Sequence, residues 1–287
     1  APPVVLRDIS RRGTMHFAAD VTPAVLVAAR REPGAVVVDD GDTEFTLPLA
    51  DLGGPEPGAS WPLIDPDARS RIAALQRSAP PLRERYTIRL GVKTGCNEAF
   101  EDPPPMPERT PAVRGSDLRA FHVKQTTGLL FAHNHTTGEP LRQPSPQATN
   151  HLGCYNERLG ARVDGRRARP HEIFRVGPAA LGHRVAFRDI DLSLQATYLP
   201  PVAEGGPIAL NTCYTIAVGS AAEGRRLAAW LNTEPVRAVA AALADHALGG
   251  YRRFQARNVG AVPLPPAVEF GHQPLQQLAD RLHASEG

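Results

Sequence analysis

The sequence is short of the residues that build disulfide frameworks, zinc clusters and membrane spans. Its three cysteines, Cys96, Cys154 and Cys213, are widely separated and form no C-x-x-C pair. That argues against a disulfide scaffold or a zinc site and suits a reducing, cytoplasmic setting. No apolar run approaches the roughly 20 residues that a spanning helix needs, so no membrane partner is expected. No signal-peptide pattern opens the chain, and its abrupt start in Ala1-Pro2-Pro3 reads as a piece of a longer protein. Lysine is nearly missing: Lys93 and Lys124 are the only two, and every other basic residue is arginine. A GC-rich coding sequence leaves that bias, but it has a physical consequence. The planar guanidinium can hold a phosphate or a guanine edge through two hydrogen bonds. Aromatic residues are scarce at 6%, whereas prolines number 29, so loops and short elements must carry much of the chain.

The 287 residues, 42% of them hydrophobic, suffice for one large core or two modest ones. The net charge of +2 is too small to name a partner, so the distribution of charge has to decide. A boundary is expected near residue 60, after the Gly/Pro-rich stretch from Gly53 to Ser60, dividing an entry segment (1–60) from the remainder (61–287). In the entry segment, Thr22 to Arg31 reads as a short helix capped by Thr22 with Pro23 in its first turn. Val36-Val37-Val38 and Glu44 to Leu49 read as strands.

Beyond the boundary, a helix is predicted from Pro66 to Arg77, a strand over Tyr86 to Leu90, and a turn from Gly91 leading to a second strand at Phe100. Asp102 to Pro111 reads as a proline-rich loop unable to pair inside a sheet. A strand at Leu129 to Ala132 and a helix from Gln147 to Gly160 follow. Buried strands are expected at Arg184 to Phe187 and Cys213 to Val218, then helices at Glu223 to Asn232, Glu234 to Leu248 and Pro274 to His283. The sum is a mixed α+β architecture, rich in loops, with short sheets and peripheral helices. Nothing in it alternates as a doubly wound cofactor domain would.

The search for catalytic chemistry comes back empty. There is no G-x-x-x-x-G-K-[ST] loop, no strand–G-x-G-x-x-G–helix unit, no H-E-x-x-H and no G-x-S-x-G. His133-Asn134-His135, with His151 or Cys154 as a distant third donor, fits a polar loop better than a metal site. Asp102-Pro103-Pro104-Pro105 lacks the aromatic fourth residue with which amino-methyltransferases stack on a flipped base.

A different pattern stands out. Gly91-Val92-Lys93-Thr94-Gly95-Cys96-Asn97-Glu98-Ala99-Phe100 pairs two glycines with polar donors. It is followed by Arg114-Gly115-Ser116-Asp117-Leu118, by Leu152, Leu159 and Arg162 at helical spacing, and by Arg184-Val185-Ala186-Phe187-Arg188-Asp189-Ile190. Then come Leu231-Asn232-Thr233 and a closing Gly249-Gly250-Tyr251-Arg252-Arg253 with Val262-Pro263-Leu264-Pro265. In order and spacing, these segments resemble the target-recognition domain of TaqI-like and type IIG adenine-specific DNA methyltransferases. The resemblance covers roughly residues 90–266, and the Gly91–Phe100 turn is its most specific part.

That resemblance implies a domain that reads double-stranded DNA for a methyltransferase catalytic domain. The latter would bind S-adenosylmethionine and take up the flipped adenine, fused upstream or on another chain. No cofactor is expected on this chain. The candidate DNA contacts fall in clusters: Lys93, Thr94 and Asn97; Arg158, Arg162, Arg166, Arg167 and Arg169, with Arg175 close behind; and Tyr251, Arg252, Arg253 and Gln255. Arg114 and Lys124 complete the set, and Arg114 is also expected to pair with Asp117 and so fix its loop. The alternative is a protein-interaction or scaffold module of the same fold that does not bind DNA. The two differ in whether the arginines of 158–175 and 252–253 share a face.

Overall fold

A computed structural model describes residues 3–8, 24–28, 35–39, 44–48 and 79–266, except Arg166 and Arg167, together with scattered positions between 66 and 77. The expected helix at Pro274 to His283 lies outside the described residues, and the described positions between Pro66 and Arg77 are helical.

The first sheet has the order β2-β1-β3-β4, from β1 (Pro3–Asp8), β2 (Ala24–Ala28), β3 (Ala35–Asp39) and β4 (Glu44–Pro48). β1 runs parallel to β3, while the other pairs are antiparallel. Val36, Val38 and Leu47 form its small core. The segment read as a capped helix is instead strand β2. Val25-Leu26-Val27 is an apolar, β-branched run, and β1 supplies a partner for its backbone. Pairing outweighs the local cap signal.

The central sheet is antiparallel, in the order β10-β8-β12-β5. It comprises β5 (Ile88–Leu90), β8 (Arg184–Arg188), β10 (Ala196–Leu199) and β12 (Cys213–Ala217). Alternation splits its side chains between two faces. Val185, Phe187, Ile216 and Ile88 pack beneath α6 (Ala221–Leu231) and α7 (Glu234–Leu243), with Leu227, Leu231, Val236 and Val239 closing that core. Ala186, Leu199 and Cys213 face the other way, onto Val113, Leu118 and Ala209. Val113 and Ala209 belong to the next sheet, β11-β6-β7, built from β6 (Arg109–Val113), β7 (Thr127–Leu130) and β11 (Ile208–Ala209). A fourth sheet, β13-β14-β9, joins the short strands β9 (Ile190–Asp191), β13 (Asp245–His246) and β14 (Arg252–Arg253). The architecture is α+β, as the sequence leads one to expect.

Local chemistry explains where the helices begin. Ser145 caps α3 (Pro146–Gly153) by accepting from the Ala148 N–H at 3.1 Å. Ser220 caps α6 through the Glu223 N–H at 3.2 Å, while the Glu223 carboxylate accepts from the Gly219 N–H at 2.6 Å. The predicted helix over Gln147 to Gly160 breaks in two, and α4 (Asn156–Gly160) restarts after Tyr155. The predicted strand at Phe100 is the short helix α2 (Asn97–Phe100). The α7 helix stops at Leu243, five residues short of expectation, because Asp245 and His246 pair with β14.

The expected loop at Asp102–Pro111 ends early, since β6 starts at Arg109. Pro111 is tolerated there because β11 pairs only with Ala112 and Val113, leaving β6 an edge strand at the proline. Among the described residues no helix is long and apolar enough to cross a membrane.

Candidate nucleic-acid interface

The Gly91–Phe100 turn is held from two sides. Gly91 approaches the backbone of Ala209 and Leu210 so closely that a Cβ would lie 2.2 Å from the Leu210 oxygen. Lys93 exchanges backbone hydrogen bonds with Phe174 at 3.0 and 2.8 Å. Within the turn, the Thr94 hydroxyl donates to the Asn97 side-chain oxygen at 2.6 Å and accepts from the Cys96 N–H at 3.3 Å. Gly95 has φ +73°, and a Cβ there would meet Arg162 Cδ at 2.9 Å. Both glycines are therefore required, one for close approach and one for left-handed backbone.

Arg162 joins this turn to the segment that follows α4. Its guanidinium donates to the carbonyls of Thr94 (3.3 Å), Glu172 (2.7 Å), Arg169 (3.1 Å), Pro170 (3.3 Å) and Leu159 (3.2 Å). It also lies 5.7 Å from the Phe100 ring centroid and 5.3 Å from that of Phe174. Only 4% of the residue is exposed, and burial lowers the guanidinium pKa from its usual value. This corrects the expectation of a DNA contact. A guanidinium that already donates to five carbonyls in the interior is a tie between two loops and has no face left for a phosphate.

The other expected contacts separate in the same way. Lys93 pairs with Asp164, whose carboxyl that bond holds below its ordinary value. Thr94 is buried, and Asn97 is exposed. Arg158 faces Glu98 at 3.3 Å, and Arg169 faces Glu172 at 2.5 Å. Arg114 pairs with Glu101 at 2.6 Å and Asp102 at 3.3 Å rather than with Asp117, which is buried and accepts from Gln125 at 3.0 Å. The spacing points to Asp117, but Glu101 bridges to Leu129 and the Asp102 N–H donates to the Gly128 carbonyl on β7, the partner of β6, which brings both carboxylates to the guanidinium. Arg114 is pushed above its usual pKa, first by the hydrogen bond to Glu101. Lys124 is exposed, and Arg166 and Arg167 lie outside the described residues.

At the far end, Gly249 and Gly250 both have positive φ and reverse the chain into β14. Arg252 donates to the Ala241 carbonyl at 2.9 Å, and Arg253 pairs with Asp189 at 3.1 Å. Tyr251 is 37% exposed beside Ile190 at 39% and Leu192 at 59%, while Gln255 precedes the short helix α8 (Ala256–Val259). The Lys93 and Arg162 groups come together; the Tyr251 group lies at the fourth sheet.

The motif segments interlock. The Gly115 N–H donates to Thr212 Oγ1 at 2.8 Å, with no room for a Cβ beside the Thr212 oxygen. Arg184 is wholly buried and donates to the carbonyls of Gly182, Pro200 and Pro207, and desolvation lowers its pKa to about 10. The Asn232 amide bridges both backbone groups of Ala196, at 2.7 and 3.0 Å. The closing Val262-Pro263-Leu264 run accepts from Leu82 N–H and Trp230 Nε1 and donates to Pro80 O. Most residues that carry the sequence resemblance are thus framework residues.

Arg175, from the end of the second expected cluster, and Arg89, which was not among the expected contacts, line hollows beside β5 and have no side-chain partner among the described residues. The signal for Arg89 was its place between Ile88 and Leu90, which alternation sends to the face opposite the core. Arg175 was marked by its place in the arginine-rich run from 158 to 175. Among the described residues no cluster of three or more His, Cys, Asp or Glu side chains could hold a metal. His133 is buried, stacked on Phe131 at 5.1 Å.

No protein-family profile matches the sequence, and no curated protein matches it. Solved structures do. The type IIG restriction endonuclease BpuSI is 12% identical and covers 75% of this chain with a TM-score of 0.49. The type IIL restriction-modification enzyme MmeI, solved in complex with DNA, is 7% identical and covers 91% of this chain with a TM-score of 0.52. This chain spans 27% of the length of the first and 34% of the second. At these identities the likeness to MmeI is one of fold.

Proposed function

We propose that this chain is the DNA target-recognition region of a restriction-modification enzyme, reading a duplex site for an N6-adenine methyltransferase. Methyl transfer from S-adenosylmethionine would belong to a catalytic domain outside this chain, with residues 1–60 on the side of the join. The observation that carries the reading is the spatial interlocking of the motif segments from Gly91 to Leu264. Side chains and glycines at the motif positions hold one another, which supports reading them as parts of one framework. The fold likeness to MmeI over 91% of the chain supports it. The exposed Tyr251, with Arg253 beside it, and the exposed Asn97 and Lys124 supply side chains suited to base edges or phosphates.

The opposing reading, a protein-interaction module, draws on the internal pairing of Arg114, Arg158, Arg169 and Arg253. Fluorescence anisotropy with a randomised duplex, repeated across salt concentrations, separates the two. A DNA reader binds with an affinity that falls steeply as salt rises. Absence of binding, or binding indifferent to salt, rejects the DNA reading.

A further inference from the structure

Two adjoining hollows, of about 290 and 650 Å³, open along β5 and share Arg89, Ala179 and Thr215 in their walls. β5 is the edge of the central sheet among the described residues. Arg89 stands opposite Thr215 in the β5–β12 register, on the face turned away from the α6–α7 core. Arg85 extends the basic lining at one end, 5.8 Å over the Tyr86 ring, and Arg175 extends it at the other. Among the described residues, no Asp or Glu lines either hollow. Asp164, which feels the charge of Arg175, is already bonded to Lys93.

Several other arginines differ. Arg114, Arg158, Arg169, Arg253 and Arg257 each face a carboxylate within 3.3 Å. Arg89 and Arg175 are exposed and have no side-chain partner among the described residues. Arg175 also sits at φ +61°, a left-handed conformation that side chains seldom adopt and a glycine takes freely. Strain at a residue whose side chain has no partner among the described residues points to a role outside the fold.

We propose that this groove seats the phosphodiester backbone of the bound nucleic acid, with Arg89 and Arg175 each gripping a phosphate and Arg85 extending the field. The inference rests on the DNA-binding reading above and names the surface that reading uses for positioning. A guanidinium can meet a phosphate with two parallel N–H···O bonds. Such contacts set the register of the duplex without reading its sequence.

The test measures duplex affinity and its salt dependence for the wild type, R89A/R175A, R89K/R175K and R175G. Removing one arginine–phosphate pair lowers the slope of log K against log salt by about 0.9. The double alanine variant is therefore expected to lose about 2 from the slope and to bind roughly 50-fold more weakly at 0.1 M salt. The double lysine variant, which keeps the charge, retains most of the slope. R175G relieves the left-handed strain, so it unfolds at a temperature no lower than the wild type while still binding more weakly. If the wild type binds duplex and R89A/R175A keeps its affinity and slope, the groove is refuted and the DNA reading survives. If the wild type binds no duplex at any salt, the reading fails and the groove falls with it. If the wild type binds inorganic pyrophosphate through these arginines but binds no duplex, the hollow holds a small phosphate ligand and the backbone proposal is overturned.

Discussion

Replacing Arg162 with methionine distinguishes an interior tie from a surface contact. Methionine keeps the length of the aliphatic stem and removes the guanidinium. Of the five carbonyls it serves, those of Arg169 and Pro170 belong to exposed residues and can turn to water. The carbonyls of Thr94, which is buried, and Glu172, which is half-buried, are left without that donor. An unsatisfied buried acceptor costs about 1–3 kcal/mol, and the ring contacts to Phe100 and Phe174 add about 1 kcal/mol when desolvated. Against this, the variant no longer has to bury a charge, so the net loss is about 3–5 kcal/mol, in the range for breaking a buried charged network. Urea unfolding followed by circular dichroism measures it as a fall in midpoint. Lysine is expected to recover only part of the loss, because its ammonium offers three donors and no planar face. A variant that keeps its unfolding midpoint within about 0.5 kcal/mol of wild type, the ordinary range for surface substitutions, and loses duplex affinity instead would refute the argument and return Arg162 to the DNA surface.

Three further outcomes are expected. Asn232→Ala removes both bonds to Ala196, one of them donated by a strand N–H facing the α6 terminus, and should cost about 1.5–3 kcal/mol by the same unfolding measurement; an unchanged midpoint would show the bridge to be idle. Burial, with help from His171, lowers the His133 pKa to about 4, whereas the unfolded chain titrates near 6.5. The unfolded state therefore binds the extra proton first. The stability due to neutral His133 is complete above pH 6.5 and declines between there and pH 4, by up to about 3 kcal/mol; His133→Phe should flatten that decline, and an equal pH dependence in both proteins would rule His133 out. Cys213, buried, has a thiol pushed up to about 12, while Cys154 is exposed. At pH 8 a thiol reagent should modify Cys154 rapidly and Cys213 only on unfolding, as peptide mapping would read out; fast labelling of Cys213 in the folded protein contradicts its burial.

Local chemistry made much of the architecture legible. The apolar residues at Arg184–Phe187 and Cys213–Val218 marked the central strands, and the helix expected from Glu223 to Asn232 is α6, whose start at Ala221 follows the Ser220 cap. The left-handed demand on Gly95 was readable from a glycine in a polar turn. Where expectations moved, long-range pairing was the cause. β2 became a strand because β1 lies beside it, and α7 ended early because β14 claims Asp245 and His246.

For the candidate interface the balance is reversed. The sequence determined which residues carry charge, and its motif order determined which segments belong together, because glycine conformation, caps and alternation are local properties. It could not determine which arginines are free. Arg162 and Arg169 lie in one run and differ only in what folding brings to them: an interior nest of carbonyls for the first and the Glu172 carboxylate for the second. Arg89 and Arg175, 86 positions apart by number, come to line one hollow only when α5 (Pro178–Leu181) and β5 meet across the sheet. A cation's availability depends on partners distant in the chain, and only the tertiary structure decides that.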